Sequence, residues 1–577
     1  MTSERGQWTI MIYMSGDNNL GVDMSYALTN IRQAAEARGQ KVNLMVYYDG
    51  NSLDVPTLYC DFTDFSNPIY VPAFTVRKRY THVGRRFEDT FENQNAAEMY
   101  SILNFIDWCV NTEKRGRAAD HYGIIFSGHG FGFQSISFLK DESSDYYLTI
   151  RKFRASLEKI RDEILGQPID LIGFDCCVMG MLEIGYEIQE CARVMIASEG
   201  SIPNAGWTYG RILGGLVSSG ASVDLPPIAT QFVHDFIETQ KDFAVGGVSV
   251  DMSAWDLSKI SPVASAVNCL GETMLMGLAE DTNIYAPLRG AVIQSHWESQ
   301  SYMFEQNVDL KDFCECLVRA VRYLNCKEEI VLSDGTKHDF LGSLNEACTA
   351  VARSVDNAVL ECGFSGGDYQ YSNGIALFFP WTFQTYLFSE PSYSVLRFAN
   401  DGGRYWNAFL LHFLRDVTLR GQNQVTGRRN PVLVRKPEAD GQTKEAAGGP
   451  NDRFSNPADQ LIKEAFQITK ESSGKIITNP ANRDIANSSG QIYKYPAFKL
   501  VQQGVDRIIT NPSNRIITNP ASRIITNPAS RIITNPTNRM LGALGTILSS
   551  FKNVASPWDI FGYSKDATPD TNGEAAE

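Results

Sequence analysis

The chain of 577 residues has no run of about 18 apolar residues that could span a membrane. Residues 1–7 lack the basic start and apolar core of a secretion signal. Positive charge is also in deficit, since 52 lysines and arginines against 66 aspartates and glutamates give a formal net charge of -14. Binding to nucleic-acid phosphates needs a basic surface, so we expect no nucleic-acid partner. These absences predict a cytoplasmic protein without a transmembrane segment.

Cysteine is scattered along the chain without a pattern. The 11 cysteines are an odd number with no regular spacing, which is typical of free buried thiols in a reducing compartment. Cys314 and Cys316 stand too close together, and too far from other ligands, for a zinc site. The sequence therefore predicts no metal ligands.

Strand-like and helix-like patterns alternate from the amino terminus to about residue 415. The predicted strands are the apolar segments 9–14, 42–48, 124–126, 171–174, 193–197 and 374–380. The predicted helices are 23–37, 96–111, 156–165 and one that begins just after the turn at 178–180. The stretch 210–365 is mostly helical in pattern. Continuous apolar strands that alternate with helices indicate an α/β fold with a mostly parallel sheet and helices on both faces.

Two of the predicted strands end in reactive side chains flanked by glycine. One strand leads into Gly128-His129-Gly130, and the other leads into Cys176 and Cys177. Because the carboxyl ends of parallel strands meet at one edge of a sheet, we expect a histidine and a thiol to lie together there. An imidazole can take the proton of a thiol and then protonate the leaving amine of a peptide. The pattern predicts a His–Cys pair for nucleophilic catalysis.

Adjacent residues of a strand point to opposite faces, so only one of the two cysteines can face His129. We expect Cys177 to be the nucleophile, because it precedes a helix whose N-terminus would lower the pKa of its thiol. The backbone N–H groups of Gly130 and Cys177 are the expected oxyanion donors, since glycine permits a close approach to substrate. The alternative is that the strand ending in Cys176 is merely part of the core.

At these residues the sequence resembles the clostripain family of cysteine peptidases, within the caspase-like clan. Ser127-Gly128-His129-Gly130 resembles the family's histidine motif, and segment 174–180 resembles its nucleophile motif, with Cys177 at the nucleophile position. Segments 11–20 and 197–209 also match, and the resemblance covers roughly residues 7–415. It implies a caspase-like α/β sandwich and a cysteine endopeptidase.

The resemblance also implies a preference for arginine or lysine before the cut, with Asp175 as the acidic group of that pocket. A buried carboxylate near the nucleophile would select a cationic side chain, and guanidinium fits it with two hydrogen bonds. The alternative for Asp175 is a role in ending the strand. Some relatives need calcium, but no loop of the EF-hand type is present. We therefore predict no cofactor and leave calcium open.

Self-cleavage between the two motifs is a further implication of the resemblance. The basic candidates there are Arg151, Lys152 and Arg154, which begin a predicted helix. An eight-residue repeat near the carboxyl terminus carries further candidates, at Arg507, Arg515, Arg523 and Arg531. The repeats are a loosely ordered duplicated tail, a docking segment for a regulatory partner, or a set of cleavage sites that also serve as pseudosubstrate.

These patterns divide the chain into a peptidase domain (1–417), a linker (418–474), the repeats (475–539) and an apolar segment with the carboxyl terminus (540–577). The leading hypothesis is an intracellular cysteine endopeptidase that acts on proteins or peptides at arginine or lysine, regulated by self-cleavage or by its tail. The alternatives are a catalytically silent scaffold, a signalling or defence protease with an effector tail, and acyl transfer to an amine.

Overall fold

The computed structural model describes residues 6–36, 42–51, 55–64, 66–81, 93–111, 116–134, 138–218, 224–240, 248–278, 284–302, 306–324, 326, 329–331 and 335–425. The predicted linker beyond residue 425, the repeats and segment 540–577 lie outside the described residues. Residues 418–425, predicted to begin the linker, continue the last described helix.

Fourteen strands lie in the described ranges. They are β1 (Gly6–Gly16), β2 (Val42–Gly50), β3 (Leu58–Asp61), β4 (Ile69–Pro72), β5 (Ala119–Ser127), β6 (Ile169–Asp175), β7 (Ala192–Ala197), β8 (Val250–Asp256), β9 (Ser301–Tyr302), β10 (Asn307–Asp309), β11 (Glu329–Val331), β12 (Lys337–Asp339), β13 (Val359–Ser365) and β14 (Ala376–Phe378). Nine of them form one sheet in the order β13–β8–β7–β6–β5–β1–β2–β3–β4. The strands β2, β1, β5, β6 and β7 pair in parallel, and the strands beyond them on both sides are antiparallel.

The helices of the described ranges, numbered in chain order, surround this sheet. They are α1 (Gly21–Glu36), α2 (Met99–Asn111), α3 (Ile150–Lys159), α4 (Leu182–Ile188), α5 (Tyr209–Ser218), α6 (Leu225–Thr239), α7 (Ile260–Gly277), α8 (Tyr285–Glu298), α9 (Leu310–Tyr323), α10 (Phe340–Ala358), α11 (Phe383–Tyr393) and α12 (Arg404–Val425). Short 3-10 or π turns occupy Ala73–Thr75, Ile160–Leu165, Leu257–Lys259 and Phe398–Gly402. Within these ranges, no helix has the length and apolar character needed to cross a membrane.

The central sheet separates two hydrophobic cores. Along β1, Met11 and Tyr13 belong to one core, while Ile10 and Ile12 belong to the other, as the alternation of side chains along a strand requires. Helices α1, α5 and α6 cover one face, and the remaining helices pack on the other. A slip of one residue would exchange the two faces, so burial on both sides fixes the register. The predicted α/β fold with helices on both faces of a mostly parallel sheet is confirmed.

The strand predicted at 374–380 is observed as β14, but it lies outside the central sheet, because β14 pairs with β10 in a separate sheet of three strands that also contains β9. The central sheet instead includes β8 and β13, from the stretch predicted to be mostly helical. Polar residues interrupt the apolar positions of β8, so that strand does not show the continuous apolar run that marks its parallel neighbours.

Candidate active site

The carboxyl ends of β5 and β6 form the edge at which the predicted catalytic residues lie. The two strands pair in parallel with Ser127 opposite Asp175. His129 and Cys177 each lie two residues beyond these paired positions, so both follow the ends of their strands at the same level along the strand direction. Both residues line one surface pocket, together with Asp175 and segment 202–206. The structure therefore brings the two sequence motifs together.

The two adjacent cysteines have different surroundings. Cys176 is 1% exposed, and its thiol donates a hydrogen bond to the carbonyl oxygen of Phe126 at 3.4 Å. Cys177 is partly exposed, and its sulfur accepts a hydrogen bond from the backbone N–H of Ile202 at 3.3 Å. An N–H donor at the sulfur stabilises a negative charge there. These surroundings favour Cys177 as the nucleophile.

The turn that follows Cys177 is strained. Val178 has a φ of +59°, a left-handed conformation that costs a β-branched residue on the order of 1–3 kcal/mol. Two hydrogen bonds from outside hold the turn, one from the N–H of Val178 to the oxygen of Gly200 at 2.8 Å and one from Gly180 to Ser198 at 2.7 Å. The imposed turn sets the direction in which Cys177 leaves the sheet.

The predicted effect of a helix N-terminus on Cys177 is wrong. The next helix, α4, begins only at Leu182, and the influence of a helix terminus falls off within one turn. Burial raises the pKa of the Cys177 thiol, the N–H of Ile202 opposes this increase, and the charge of Asp175 adds to it. The resting side chain is therefore a neutral thiol near pH 7.

His129 is held by a residue that the motif analysis does not single out. Its Nε2 lies 2.6 Å from Oδ1 of Asn19, in the loop after β1. Since an amide oxygen only accepts hydrogen bonds, Nε2 carries the proton and Nδ1 carries the free lone pair. Burial, together with the charge of Lys140, lowers the pKa of His129 to about 4. The imidazole is therefore neutral near pH 7 and can accept a proton.

The structure describes both His129 and Cys177, and no hydrogen bond joins their side chains in it. The imidazole pairs with Asn19, and the sulfur pairs with the backbone of Ile202. A neutral imidazole and a neutral thiol have no ionic attraction, and catalytic hydrogen bonds commonly shorten only when substrate binds. Proton transfer between the two groups stays a prediction.

Gly130 packs directly against the peptide group that carries Cys177. A Cβ at position 130 would lie 2.5 Å from the carbonyl oxygen of Cys177 and 3.2 Å from its nitrogen. A larger residue could not occupy this position without moving the nucleophile. The backbones of the two predicted oxyanion donors are therefore neighbours, and their function as donors stays a prediction.

Asp175 lines the pocket and is 5% exposed. Its carboxylate accepts hydrogen bonds from the hydroxyl of Ser127 at 2.9 Å, the N–H of Trp207 at 3.0 Å and the hydroxyl of Tyr209 at 2.8 Å. Gly206 allows this approach, because a Cβ there would stand 2.8 Å from Oδ2 of Asp175. Burial raises the pKa of Asp175, while the three donors favour its charged form. The arrangement suits recognition of a cationic side chain.

The cleavage candidates between the two motifs lie in the first half of α3. Arg151 and Lys152 are exposed, whereas Arg154 forms an ion pair of 2.6 Å with the buried Glu187. Peptide groups inside a helix are already hydrogen-bonded to one another, so cleavage at these positions would require local unfolding. The four repeat candidates lie outside the described residues, at positions 507, 515, 523 and 531. Cleavage at any of these sites stays a prediction.

The sequence profile of the clostripain family matches residues 12–400, a range that contains both motifs and the strands that carry them. The chain belongs to the clostripain family. The resemblance that the two motifs suggested is therefore confirmed.

This family member is 25% identical over 297 residues to the clostripain of Hathewaya histolytica, in a match that covers 45% of this chain and 55% of that one. The chain thus spans about half the length of that relative. A secreted C11 cysteine protease from Bacteroides thetaiotaomicron, solved with an irreversible peptide inhibitor, is similar with 16% identity, a TM-score of 0.48, and coverage of 70% of this chain and 100% of that one. An inactive zymogen C11 protease from Parabacteroides distasonis matches with 18% identity, a TM-score of 0.46, and coverage of 70% and 99%.

Proposed function

We propose that this member of the clostripain family is a cysteine endopeptidase that cleaves peptide bonds after arginine or lysine. The observation that supports the proposal is that Cys177, His129 and Asp175 line one pocket at the edge of the sheet. The thiol attacks, the neutral imidazole moves protons, and the buried carboxylate recognises the cationic side chain before the cut. The substrates of this reaction are proteins and peptides.

In the proposed reaction, Nδ1 of His129 accepts the thiol proton of Cys177 while the sulfur attacks the carbonyl carbon of the substrate. The N–H groups of Gly130 and Cys177 stabilise the oxyanion that forms. The imidazolium then gives its proton to the leaving amine as the carbon–nitrogen bond breaks, which leaves a thioester. Water, deprotonated by the same imidazole, attacks the thioester and releases the acid and the thiol.

Asp175 gives the proposed specificity a physical basis. Its three donors fix the plane of the carboxylate and support its charge. A carboxylate offers about four lone-pair positions, so one remains for a guanidinium or ammonium group that enters the pocket. A neutral substrate side chain would exclude water from the carboxylate without replacing its hydrogen bonds, which disfavours binding.

Self-cleavage is part of the proposal. Arg151 and Lys152 are exposed at the start of α3, where opening one helical turn would make the chain extended. Local unfolding of the first turn of α3 costs less free energy than unfolding of the whole domain, because helix ends open locally. Cleavage there, or in the repeat tail, would place the enzyme's activity under the control of its own processing.

The matched substitutions Cys177→Ala and Cys176→Ala test the proposal. With a fluorogenic peptide that ends in arginine, we expect Cys177→Ala to lose at least about 10³-fold in kcat/KM, as expected when a nucleophile is removed. Cys176→Ala should keep most of the activity, because its thiol bonds inward to Phe126. Terminal sequencing and mass analysis of the same proteins should show cuts in the wild type that are absent in Cys177→Ala. Equal turnover by wild type and Cys177→Ala would refute the proposed nucleophile.

A further inference from the structure

The segment 198–202 lies just beyond β7 and holds the turn after Cys177 from outside. Two of its carbonyl oxygens accept the N–H groups of Val178 and Gly180, at 2.8 and 2.7 Å. At its far end, the N–H of Ile202 donates to the sulfur of Cys177 at 3.3 Å. The position of this segment therefore sets both the direction of the nucleophile and the hydrogen-bond donor at its sulfur.

The segment is itself held by Asp251, on the neighbouring strand β8. Oδ2 of Asp251 accepts the N–H of Glu199 at 2.7 Å, and Oδ1 accepts the N–H of Gly200 at 2.8 Å. The backbone oxygen of Asp251 accepts a third bond, from the hydroxyl of Ser198 at 2.6 Å. Hydrogen bonds to an ionised carboxylate are about twice as strong as those between neutral groups. One residue of β8 thus ties down three successive residues of the segment.

Asp251 belongs to a group of three buried carboxyls. Asp251 is 1% exposed, and Glu199 and Asp309 are 0% exposed. Oε1 of Glu199 has no hydrogen-bond partner among the described residues. The ion pairs of the described chain include none of the three. Burying carboxyls without a cationic partner lowers stability, so the stability of the fold does not explain why Asp251 lies here.

We propose that Asp251 is a positioning residue for the nucleophile, which fixes segment 198–202 and, through it, the direction of Cys177 and the donor at its sulfur. This role rests on the proposed peptidase function. The turn needs a support because Val178 has a φ of +59°, a conformation that persists only where its surroundings impose it. Contact is direct, since a Cβ on Gly180 would stand 2.7 Å from the backbone of the segment. A shift of the segment therefore reaches the turn.

The support depends on the charge of Asp251. Burial raises the pKa of Asp251 to about 7, while the N–H groups of Glu199 and Gly200 oppose the increase. A protonated carboxyl carries a hydrogen on one oxygen and no longer accepts both N–H groups equally well. We therefore expect the support to weaken as the pH falls through about 7, well above the pKa of His129, which is about 4.

Several titratable groups from other elements surround Asp251. They are Glu199 after β7, Tyr302 on β9, Asp309 on β10, Cys362 on β13 and Tyr369 between β13 and β14. Burial raises the pKa of both tyrosines and of the cysteine, so these three stay neutral near pH 7. Burial also raises the pKa of Asp309 to about 7, so Asp309 has to be tested beside Asp251.

Asp251→Asn tests the proposal, because the amide keeps the shape of the side chain but has a single oxygen for the two N–H groups. With the arginine peptide, we expect kcat to fall by about 10-fold, as loss of a hydrogen bond to a charged group predicts. KM should change little, because Asp251 does not line the pocket. In the wild type, kcat/KM should decrease as the pH falls through about 7, and Asp251→Asn should lose this decrease.

The matched control is Asp309→Asn. It removes another buried carboxyl of the same group, but the bonds of Asp309 go to Asp312 and Asn373 and not to segment 198–202. Asp309→Asn should keep kcat above pH 8, and its activity should still decrease as the pH falls through about 7.

A measurement that needs no hydrolysis separates positioning from charge. The rate at which iodoacetamide alkylates Cys177 at pH 8 can be followed by mass spectrometry. Removal of a nearby negative charge would by itself lower the pKa of the thiol and speed the reaction. Loss of the support moves the N–H of Ile202 away from the sulfur and slows it. We expect Asp251→Asn to react severalfold more slowly than the wild type, and Asp309→Asn to react at the same rate.

If Asp251→Asn does not fold, Ser198→Ala carries the test, because it removes the third bond between the segment and Asp251. It should lower kcat and slow alkylation by a smaller factor while keeping the decrease in activity near pH 7. Unchanged or faster alkylation in Asp251→Asn, or equal losses in Asp251→Asn and Asp309→Asn, would overturn the proposal.

The failure of this inference and the failure of the proposed function give different results. A protein that hydrolyses the arginine peptide through Cys177, with Asp251→Asn as active as the wild type, would remove only the positioning role. A protein whose Cys177 is alkylated more slowly in Asp251→Asn, but which hydrolyses no peptide, would remove only the peptidase function.

Discussion

Asp175 and Asp49 occupy similar places in the fold and have opposite surroundings. Each lies at the carboxyl end of a parallel strand, at the same edge of the sheet, and neither is more than 5% exposed. Asp175 accepts hydrogen bonds from three donors and lines an open pocket. Asp49 accepts one hydrogen bond, has an oxygen without a partner and faces two other carboxylates.

The comparison shows that burial alone does not define the chemistry of a carboxylate. Donors that carry no net charge stabilise the anion of Asp175 without neutralising it, so its attraction for an incoming cation remains. Asp49 has only one such donor, and burial together with the charge of Asp141 raises its pKa, which favours the protonated form of its carboxyl group. One edge of the sheet thus holds a carboxylate suited to the recognition of a cation and another whose neutral form is favoured by burial.

Substitutions of Asp175 and Asp49 should differ most in their effect on the preference for arginine before the cut. Asp175→Asn removes the charge that would pair with arginine, and hydrogen bonds to charged groups contribute roughly 1.5–3 kcal/mol. We therefore expect kcat/KM for an arginine peptide to fall by about 100-fold. A peptide with an uncharged residue before the cut should lose much less. The measurement is the ratio of kcat/KM for the two peptides.

Asp49→Asn is the control for this ratio. It should change the hydrolysis of both peptides by the same factor, because Asp49 does not line the pocket. A changed ratio in Asp49→Asn, or an unchanged ratio in Asp175→Asn, would contradict the assignment of recognition to Asp175.

A second, smaller effect should appear in the reactivity of the Cys177 thiol with pH. Burial raises the pKa of Cys177 and the charge of Asp175 raises it further, so the reactive thiolate should form only at alkaline pH. We expect the rate of alkylation by iodoacetamide to increase with pH through pH 9. In Asp175→Asn the profile should move to lower pH, and in Asp49→Asn it should not move.

Alkylation has to be followed by mass spectrometry of the peptide that contains Cys177, since other free cysteines such as the exposed Cys269 will also react. Cys176 shares that peptide but is 1% exposed, and the Cys176→Ala protein shows whether it contributes. A thiol that is alkylated at its maximal rate at pH 6 would indicate a resting thiolate and would contradict the neutral pair inferred from the structure.

The parallel part of the sheet could be predicted from the sequence because each strand is a continuous apolar run. The strand predicted at 9–14 is observed at Gly6–Gly16, and the one predicted at 42–48 is observed at Val42–Gly50. The edge shared by His129 and Cys177 followed from the geometry of parallel strands. The sequence could not show that no helix begins directly after Cys177. The turn at that point is set by hydrogen bonds to Gly200 and Ser198, which are distant from it in the sequence.

The partners of the site residues could not be predicted from spacing. Asn19 and His129 are 110 positions apart, and Tyr209 and Asp175 are 34 apart, so only the folded sheet brings each pair together. A signal was nevertheless present, because Asn19 and Tyr209 lie in segments 11–20 and 197–209, which carry the family resemblance. The cluster of Asp17, Asp49 and Asp141 gave only a partial signal, since Asp17 lies in segment 11–20 and the other two lie outside the matching segments.

The smallest effect should come from a donor of Asp175. Tyr209→Phe removes one of its three hydrogen bonds, and we expect a loss of about 1 kcal/mol in the free energy of unfolding. That donor lowers the pKa of Asp175, so its removal should also make the preference for arginine fade at a higher pH on acidification.

The matched control is Tyr393→Phe. The hydroxyl of Tyr393 is also buried but has no hydrogen-bond partner in the described structure, so its removal should leave stability unchanged or slightly increased. Both substitutions delete one buried hydroxyl from a fully buried tyrosine, and the difference in unfolding free energy therefore reports the bond to Asp175. Equal stability of the two variants in urea denaturation would mean that Asp175 does not depend on this donor, and the contrast with Asp49 would then rest on Ser127 and the backbone of Trp207 alone.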